Sequence, residues 1–259
     1  MKLVTWNVNS LKMRLPRVLE LLAEHAPDVL CLQETKCEAA AFPDDELAIA
    51  GYHAVHHSAG RWAGVAIVAR RELELRDPLA GLPGELRAGE ARWIEATVAG
   101  LRVASVYVPN GRELGTPTFD EKLAFLDAIA GRVGALRAAH EPVVVGGDFN
   151  VAPADIDVYD PEAFVGATHV TAEERRRLEA AIAAGGLVDA YRELHPDELQ
   201  HTWWDYRQGH FHRGLGLRID LVLVGETLAG RLAACAIARD YRKGSKPSDH
   251  APLVVELAR

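Results

Sequence analysis

The chain has 259 residues, of which 49% are hydrophobic and 25% charged, a composition typical of a globular protein with a substantial core. Its net charge of −8 argues against a protein that coats nucleic acid non-specifically, because such proteins are normally basic. No apolar run reaches the roughly 20 residues of a membrane span, and the N-terminus lacks a signal-peptide pattern. We therefore expect a cytoplasmic protein without a membrane partner.

The first part of the chain predicts two strands, each with a polar residue near its end. Residues 2–9 alternate like a strand and carry Asn7. Apolar residues at helical spacing follow, and Pro16 fits the first turn of that helix. Residues 29–32 predict a buried strand, and Glu34 comes directly after it.

The middle of the chain predicts strand pairs separated by loops. Polar connections are expected at residues 37–50 and 71–90. The predicted strands are residues 52–57, 64–70, 91–98 and 101–108. The last of these strands carries Tyr107 at its end, closely followed by Asn110 and Arg112.

Residues 142–150 form the stretch around which the chain is organised. Three consecutive valines predict a strand buried on both faces, two glycines allow a sharp turn, and Asp148 and Asn150 follow. Capping-box patterns predict helices that begin near Thr118 and Thr171. The run between Asn150 and Thr171 lacks element patterns, which is typical of a functional loop.

The C-terminal part predicts two further strands with acidic residues beside them. Asp220 lies near the beginning of the strand at residues 217–224, and Asp249 and His250 precede the strand at 253–257. Strands alternate with helices in places and pair as hairpins in others, which predicts an α/β fold with mixed sheets. We find no linker or repeat, and we expect one domain over residues 1–259. The segments before Tyr107 and after Asp148 are each expected to supply one sheet.

Eight polar side chains adjoin these apolar runs: Asn7, Glu34, Tyr107, Asp148, Asn150, Asp220, Asp249 and His250. If the sheets bring the strand ends together, four carboxylates would repel one another unless a divalent cation binds them. Oxygen-rich ligation favours Mg²⁺, with Mn²⁺ as a substitute. Carboxylates, one histidine and no nucleophilic serine or cysteine suit attack by water on a phosphate ester.

Six ordered motifs also carry a family resemblance: residues 5–9, 32–36, 107–111, 147–150, 218–220 and 248–250. They resemble the exonuclease III branch of the endonuclease/exonuclease/phosphatase superfamily, the bacterial abasic-site endonucleases. The resemblance implies a four-layer α/β sandwich, in which two mixed β-sheets pack face to face and are flanked by helices. It also implies Mg²⁺-dependent hydrolysis of DNA phosphodiesters.

The resemblance assigns roles by motif match. Glu34 is implied as the main metal ligand, and Asp148, held by Asn150, either activates water or protonates the leaving group. The implied metal group is Asn7, Glu34, Asp148, Asn150, Asp249 and His250. The implied catalytic group is Tyr107, Asp148, Asn150, Asp220 and His250. Tyr107 favours the abasic-site branch, since the deoxyribonuclease I and sphingomyelinase branches resemble one another in placing a histidine at this position.

DNA contact is expected from two kinds of residue beside these motifs. Trp203, Leu217 and Ile219 match the family's apolar pocket, which can accept a deoxyribose that has no base. Among the basic loop residues Lys12, Arg14, Arg61, Arg112, Arg207, Arg213 and Lys246, we favour Arg112 and Lys246 because they adjoin Tyr107 and Asp249. Asn110 is included in the DNA-binding group.

We therefore expect a monomeric DNA repair nuclease that needs no obligate protein partner. Its expected activities are 3′→5′ exonuclease, endonuclease cleavage 5′ to abasic sites, or both, with 3′-phosphate trimming, on double-stranded DNA. A phosphomonoesterase or RNA 3′-nuclease of the same superfamily is an alternative. A non-catalytic DNA-binding module is an alternative of another class, and it would have lost site residues that this chain retains.

Overall fold

The structure is a computed structural model that describes residues 1–87 and 89–258. The strands are β1 (Lys2–Asn7), β2 (Val29–Gln33), β3 (Tyr52–His57), β4 (Val65–Arg70), β5 (Leu75–Ala80), β6 (Trp93–Val98), β7 (Leu101–Tyr107), β8 (Val143–Asp148), β9 (Leu187–Asp189), β10 (Asp220–Gly225), β11 (Leu232–Ile237) and β12 (Leu253–Leu257). The α-helices are α1 (Leu11–His25), α2 (Asp44–Ile49), α3 (Pro117–Ala138), α4 (Ala172–Gly185), α5 (Ala190–Leu194), α6 (His210–Arg213) and α7 (Glu226–Ala229).

The strands form two six-stranded mixed sheets of the same design. The first sheet has the order β11-β12-β1-β2-β4-β3 and the second the order β5-β6-β7-β8-β10-β9. In each sheet the two central strands are parallel and the other neighbours are antiparallel. Parallel neighbours need a crossover, and α1 and α3 provide it.

Each sheet combines strands from both halves of the chain, so the prediction that each half supplies one sheet is wrong. The antiparallel pairing of β12 with β1 brings the C-terminal strands into the first sheet. The hairpin of β6 and β7 belongs to the second sheet, because β7 pairs in parallel with β8.

The two sheets pack face to face, with helices on both outer faces. Between the sheets, residues such as Cys31 and Ile67 pack against Val103 and Val222. Apolar residues of α1 and α2 cover the outer face of the first sheet, and those of α3 and α4 cover the second. The predicted four-layer α/β sandwich is therefore confirmed.

The predicted start of the first helix is wrong, and so is the predicted capping box at Thr118. Helix α1 begins at Leu11, because the backbone N–H groups of Ser10 and Leu11 donate to carbonyls in the loop after β2, and Pro16 consequently lies inside the helix. Helix α3 begins at Pro117 without a side-chain cap, as the fixed φ of proline favours the first helical position. The capping box at Thr171 is confirmed.

Two predicted connections contain regular elements. Residues 37–50 hold the short helix α2, which has one buried residue, Leu47, and therefore little apolar periodicity. Residues 71–90 hold β5, an exposed edge strand with Pro78 in a bulge, and a proline normally argues against a strand. Within the described residues, no helix is both long and apolar enough to cross a bilayer.

The strand register places site residues beside one another at one edge of the molecule. Asp148, the last residue of β8, is paired in register with Tyr107 on one side and with Asp220 on the other. In the first sheet, Asn7 is paired with Gln33, and Glu34 is the next residue. The ends of the central strands of both sheets therefore meet at the same edge.

The two glycines of β8 meet very different surroundings. A Cβ on Gly147 would lie 2.0 Å from the carbonyl oxygen of Val106, a distance that no packed structure tolerates. A Cβ on Gly146 would lie 3.4 Å from Cβ of Thr5, an ordinary contact.

We predict that Gly147→Ala lowers the free energy of unfolding by about 3 kcal/mol, because β7 and β8 must separate to admit the methyl group. Gly146→Ala, the matched control, should change it by less than about 1 kcal/mol. Urea unfolding of both variants measures the difference. Equal effects of the two substitutions would contradict this close approach of β7 and β8.

Candidate active site

The amide of Asn7 joins the two sheets at this edge. Its Nδ2 donates to Oε1 of Glu34 at 2.7 Å and to Oδ2 of Asp148 at 2.9 Å. Its Oδ1 accepts from the backbone N–H of Asn9 at 3.0 Å. Asn7 therefore acts here as a donor that holds two carboxylates close together.

Asn150 holds the other side of the Asp148 carboxylate. Its backbone N–H donates to Oδ1 of Asp148 at 2.9 Å, and its Nδ2 donates to Oδ2 at 3.3 Å. The same Nδ2 donates to the carbonyl of Val108 at 2.9 Å. Asn150 has a φ of 50°, in the left-handed region, so its neighbours must hold it in this conformation.

His250 lies between two buried carboxylates. Its Nδ1 is 2.8 Å from Oδ2 of Asp220, and its Nε2 is 3.7 Å from Oδ2 of Asp148. Burial opposes the charge on His250, but the carboxylates of Asp220 and Asp148 outweigh it and raise the pKa of the imidazole to about 10. His250 is therefore an imidazolium at neutral pH, with both ring N–H groups able to donate.

Burial disfavours the charged form of both residues. It therefore lowers the pKa of the His250 imidazole but raises the pKa of the Asp148 carboxyl. Burial and the nearby carboxylates of Asp220 and Glu34 raise the pKa of Asp148 to about 7, although the charge of His250 partly offsets them. Burial and the charge of Glu34 also raise the pKa of Tyr107, so its phenol stays protonated. The guanidinium of Arg92 lies over the Tyr107 ring, 4.7 Å from its centroid.

The described residues contain one group of three side chains spaced for a metal ion: Glu34, Asp148 and His250, whose ligand atoms lie within 4.8 Å of one another. Oδ1 of Asp220, buried beside them, has no hydrogen-bond partner among residues 1–87 and 89–258. Two carboxylates with amide groups around them suit a hard divalent cation. The site can therefore hold a metal ion.

Asp249 lies beside this group rather than in it. Its Oδ1 accepts from Nδ2 of Asn9 and its Oδ2 from Nε1 of Trp203, each at 3.0 Å. Burial raises the pKa of Asp249, but the charge of His250 and these two donors outweigh it and lower the pKa. A metal role for Asp249 stays a prediction, and it would require Asp249 to give up one of these donors.

The predicted DNA-binding residues divide into exposed and buried ones. Asn110, Arg112 and Lys246 are exposed near the site. Leu217 and Ile219 are buried, and they pack in a small apolar cluster against which Trp203 lies partly exposed. The neighbouring Trp204 is buried and packs against Phe211 and Ala251. Of the apolar pocket residues, Trp203 is the one that a ligand can reach.

Sequence reasoning missed several residues of the site. Lys36 forms a 2.6 Å ion pair with Oε2 of Glu34, and its position within a matching motif could have indicated it. Lys122 and His169 both donate to the carbonyl of Asn150, Lys122 from Nζ at 2.7 Å and His169 from Nδ1 at 2.6 Å. No local pattern indicates Lys122, because charged residues of amphipathic helices normally face solvent.

Comparisons with known proteins agree with this geometry. The sequence pattern of the Endonuclease/Exonuclease/phosphatase family matches residues 4–250. A solved 3′ phosphatase from Neisseria, bound to a product DNA hairpin, is 40% identical, with 100% of both chains covered and a TM-score of 0.96. A solved AP endonuclease from Archaeoglobus fulgidus is 36% identical, with 99% of both chains covered and a TM-score of 0.94. Exodeoxyribonuclease III of Haemophilus influenzae is 31% identical over 269 residues, which cover 99% of this chain and 100% of that protein.

We predict that Asp148→Asn stabilises the metal-free protein at about pH 8, by on the order of 2–4 kcal/mol. The pKa of Asp148 in the folded protein, about 7, lies above its ordinary value of 3.8, so wild-type stability falls as pH rises between these values, and the variant avoids that loss. The gain should be small near pH 4.5 and full above pH 7.

Urea unfolding in EDTA across this pH range measures the effect. Asp155→Asn is the matched control, because Asp155 is exposed and should give no such gain. A variant at Asp148 that is less stable than the wild type at about pH 8 would show that burial does not disfavour this charge.

Proposed function

The chain belongs to the Endonuclease/Exonuclease/phosphatase family, and from this premise we infer that it is a hydrolase of DNA phosphodiesters. Its activities are those of a DNA repair nuclease: 3′→5′ exonuclease action, cleavage 5′ to abasic sites and removal of 3′ phosphates. The observation that carries the proposal is the cluster of Asn7, Glu34, Asp148, Asp220 and His250 at one edge of both sheets.

We propose Mg²⁺ as the cofactor, with Mn²⁺ as a substitute. Glu34 and Asp148 would hold the ion, with Asn7 and Asn150 orienting them and Asp249 nearby. When bound, such an ion stabilises negative charge on the phosphoryl and leaving oxygens. Metal ligation by Nε2 of His250 would require the loss of a proton that the carboxylates of Asp220 and Asp148 stabilise, so we assign this group to the phosphate instead.

His250, Asp220 and Tyr107 would bind the phosphate that water attacks. The imidazolium of His250 donates from Nε2 to a phosphate oxygen, and Asp220 fixes the ring through Nδ1 and sustains its charge. Tyr107 supplies a neutral phenol as a second donor. These fixed donors stabilise the charge that develops in the transition state, without having to reorient during the reaction.

Asp148 would move the proton. Its carboxylate could take the proton of the attacking water or give a proton to the leaving oxygen. Burial raises the pKa of Asp148 to about 7 without an ion, which favours the second role, and a bound ion would lower this pKa, which favours the first. The two hydrogen bonds from Asn150 fix both carboxylate oxygens. Asn150 therefore supports the reaction by orienting Asp148.

The substrate proposal is duplex DNA with an abasic site or a 3′ end. Trp203, above the buried pair Leu217 and Ile219, offers an apolar surface for a deoxyribose without a base. Removal of a 3′ phosphate is supported by the Neisseria relative, which is a 3′ phosphatase. We also propose that the protein is a monomer of one domain that needs no obligate protein partner and that it acts in the bacterial cytosol.

We expect the purified protein with Mg²⁺ to incise a duplex holding one abasic analogue, to shorten a 3′-recessed duplex, or to do both, and EDTA to abolish cleavage. Glu34→Gln should lower kcat at least about 100-fold, because an amide replaces the proposed charged ligand. Glu38→Gln is the matched control, since Glu38 is exposed four residues away and should keep wild-type activity.

Labelled DNA, RNA and 3′-phosphate substrates run side by side decide the outcome. Cleavage of RNA or phosphomonoesters alone would favour the alternatives within the superfamily. Absence of cleavage with both Mg²⁺ and Mn²⁺ would contradict the nuclease proposal and favour a DNA-binding module.

Binding to DNA should depend on salt through Arg112 and Lys246. We predict that each change to alanine reduces the slope of log affinity against log salt by about 0.9, the loss of one phosphate contact. Arg231→Ala should leave the slope unchanged, because Arg231 donates to the Ala258 carbonyl at the far end of the first sheet. Titrations in the Asp148→Asn background avoid cleavage, and equal slopes for all variants would remove both residues from the interface.

A further inference from the structure

A buried ion pair lies beneath the site, and the proposed reaction does not use it. Lys122 of α3 and Glu174 of α4 are in direct contact, and both side chains have 0% exposure. Burial of two charges costs more than their attraction returns unless further hydrogen bonds satisfy them. The partners of this pair therefore indicate its role.

The ammonium of Lys122 joins the loop after β7 to both ends of the long connection between β8 and α4. It donates to the backbone carbonyl of Asn150 at 2.7 Å, to Oγ1 of Thr168 at 3.0 Å and to the backbone carbonyl of Asn110 at 3.2 Å. Asn110 lies in the loop after β7, and Asn150 and Thr168 lie near the two ends of the connection between β8 and α4. One side chain thus fixes the spacing of the loops that surround the site.

Glu174 holds the end of the β8–α4 connection nearest α4 against the ammonium. Its Oε1 accepts from Thr168 Oγ1 at 2.8 Å and from the backbone N–H of His169 at 2.9 Å, and its Oε2 accepts from the backbone N–H of Thr171 at 3.0 Å. Nδ1 of His169 in turn donates to the carbonyl of Asn150. The carbonyl of Asn150 is therefore held by two donors that both depend on Glu174.

The conformation of Asn150 links this pair to the chemistry. Its left-handed backbone directs its carbonyl toward Lys122 and its N–H toward the Asp148 carboxylate. The carbonyl belongs to the peptide group after Asn150 and the N–H to the peptide group before it. Without the two donors on the carbonyl, the following peptide group could rotate, Asn150 could leave its left-handed conformation, and the Asp148 carboxylate would lose its alignment.

We propose that Lys122 and Glu174 are a positioning pair for phosphodiester hydrolysis: they hold Asn150, and through it Asp148, in the reactive geometry. The inference rests on the proposed nuclease function and adds two positioning residues to it. Neither side chain touches the substrate.

A purely structural pair can be replaced by uncharged residues without loss of activity once the protein is folded. The test variant is therefore Lys122→Met/Glu174→Gln, which removes both charges at once. The matched control is Glu95→Gln, because Glu95 is a fully buried carboxylate that pairs with Arg132 of the same helix α3, away from the site.

We expect the double variant to lose about 100-fold in kcat, with KM changed less than about threefold, at a temperature at which circular dichroism shows it folded. Glu95→Gln should lower Tm while keeping kcat within about twofold of the wild type. A folded double variant with kcat within threefold of the wild type would overturn the positioning role.

Lys122→Ala provides a second test in case the double variant does not fold. Lys122→Ala leaves space for a small amine, and ethylammonium chloride should raise its kcat at least about tenfold, whereas sodium chloride at equal ionic strength should not. Absence of this rescue in folded Lys122→Ala protein would count against the pair.

The experiments also separate this inference from the proposed function. If the wild type itself cleaves no substrate, the proposed function fails, whereas an active wild type with unimpaired variants contradicts the positioning pair alone.

Discussion

Negative charge buried at the edge where the two sheets meet is the constraint on which the rest of the site depends. Asp148 and Asp220 stand opposite each other on paired strands, an arrangement that repels unless something intervenes. The imidazolium of His250 lies between them, and the amide of Asn7 donates to the carboxylates of both Asp148 and Glu34. Burial and the remaining negative charge raise the pKa of Asp148 to about 7, and the same carboxylates offer a binding site for a cation.

The fold meets this constraint by giving both sheets the same central design. A parallel pair with a helical crossover lies in the middle of each sheet, so the strand ends point to one edge. Loops at that edge then hold residues in uncommon backbone conformations. Glu34 and Asn150 both have positive φ, and tertiary hydrogen bonds hold the loops in which they lie. The rigid sheets and helices thus keep strained loop residues in place.

The sequence indicated the site better than it indicated the topology. Glu34, Tyr107, Asp148 and Asp220 follow or begin apolar strands, and that local pattern is visible without a structure. The sequence did not show that each sheet combines strands from both halves of the chain. The pairing of β12 with β1, for example, joins the two ends of the chain and leaves no local pattern in the sequence. Lys122 was missed for a similar reason: its burial depends on loops far away in sequence.

The most direct test of the central claim, that the edge carboxylates together hold one cation, is anomalous diffraction from a crystal soaked in Mn²⁺. We expect a strong manganese peak bounded by the carboxylates of Glu34 and Asp148, with His250 on the side where the phosphate would bind. A crystal that shows manganese only at surface sites, with none between Glu34 and Asp148, would contradict the claim.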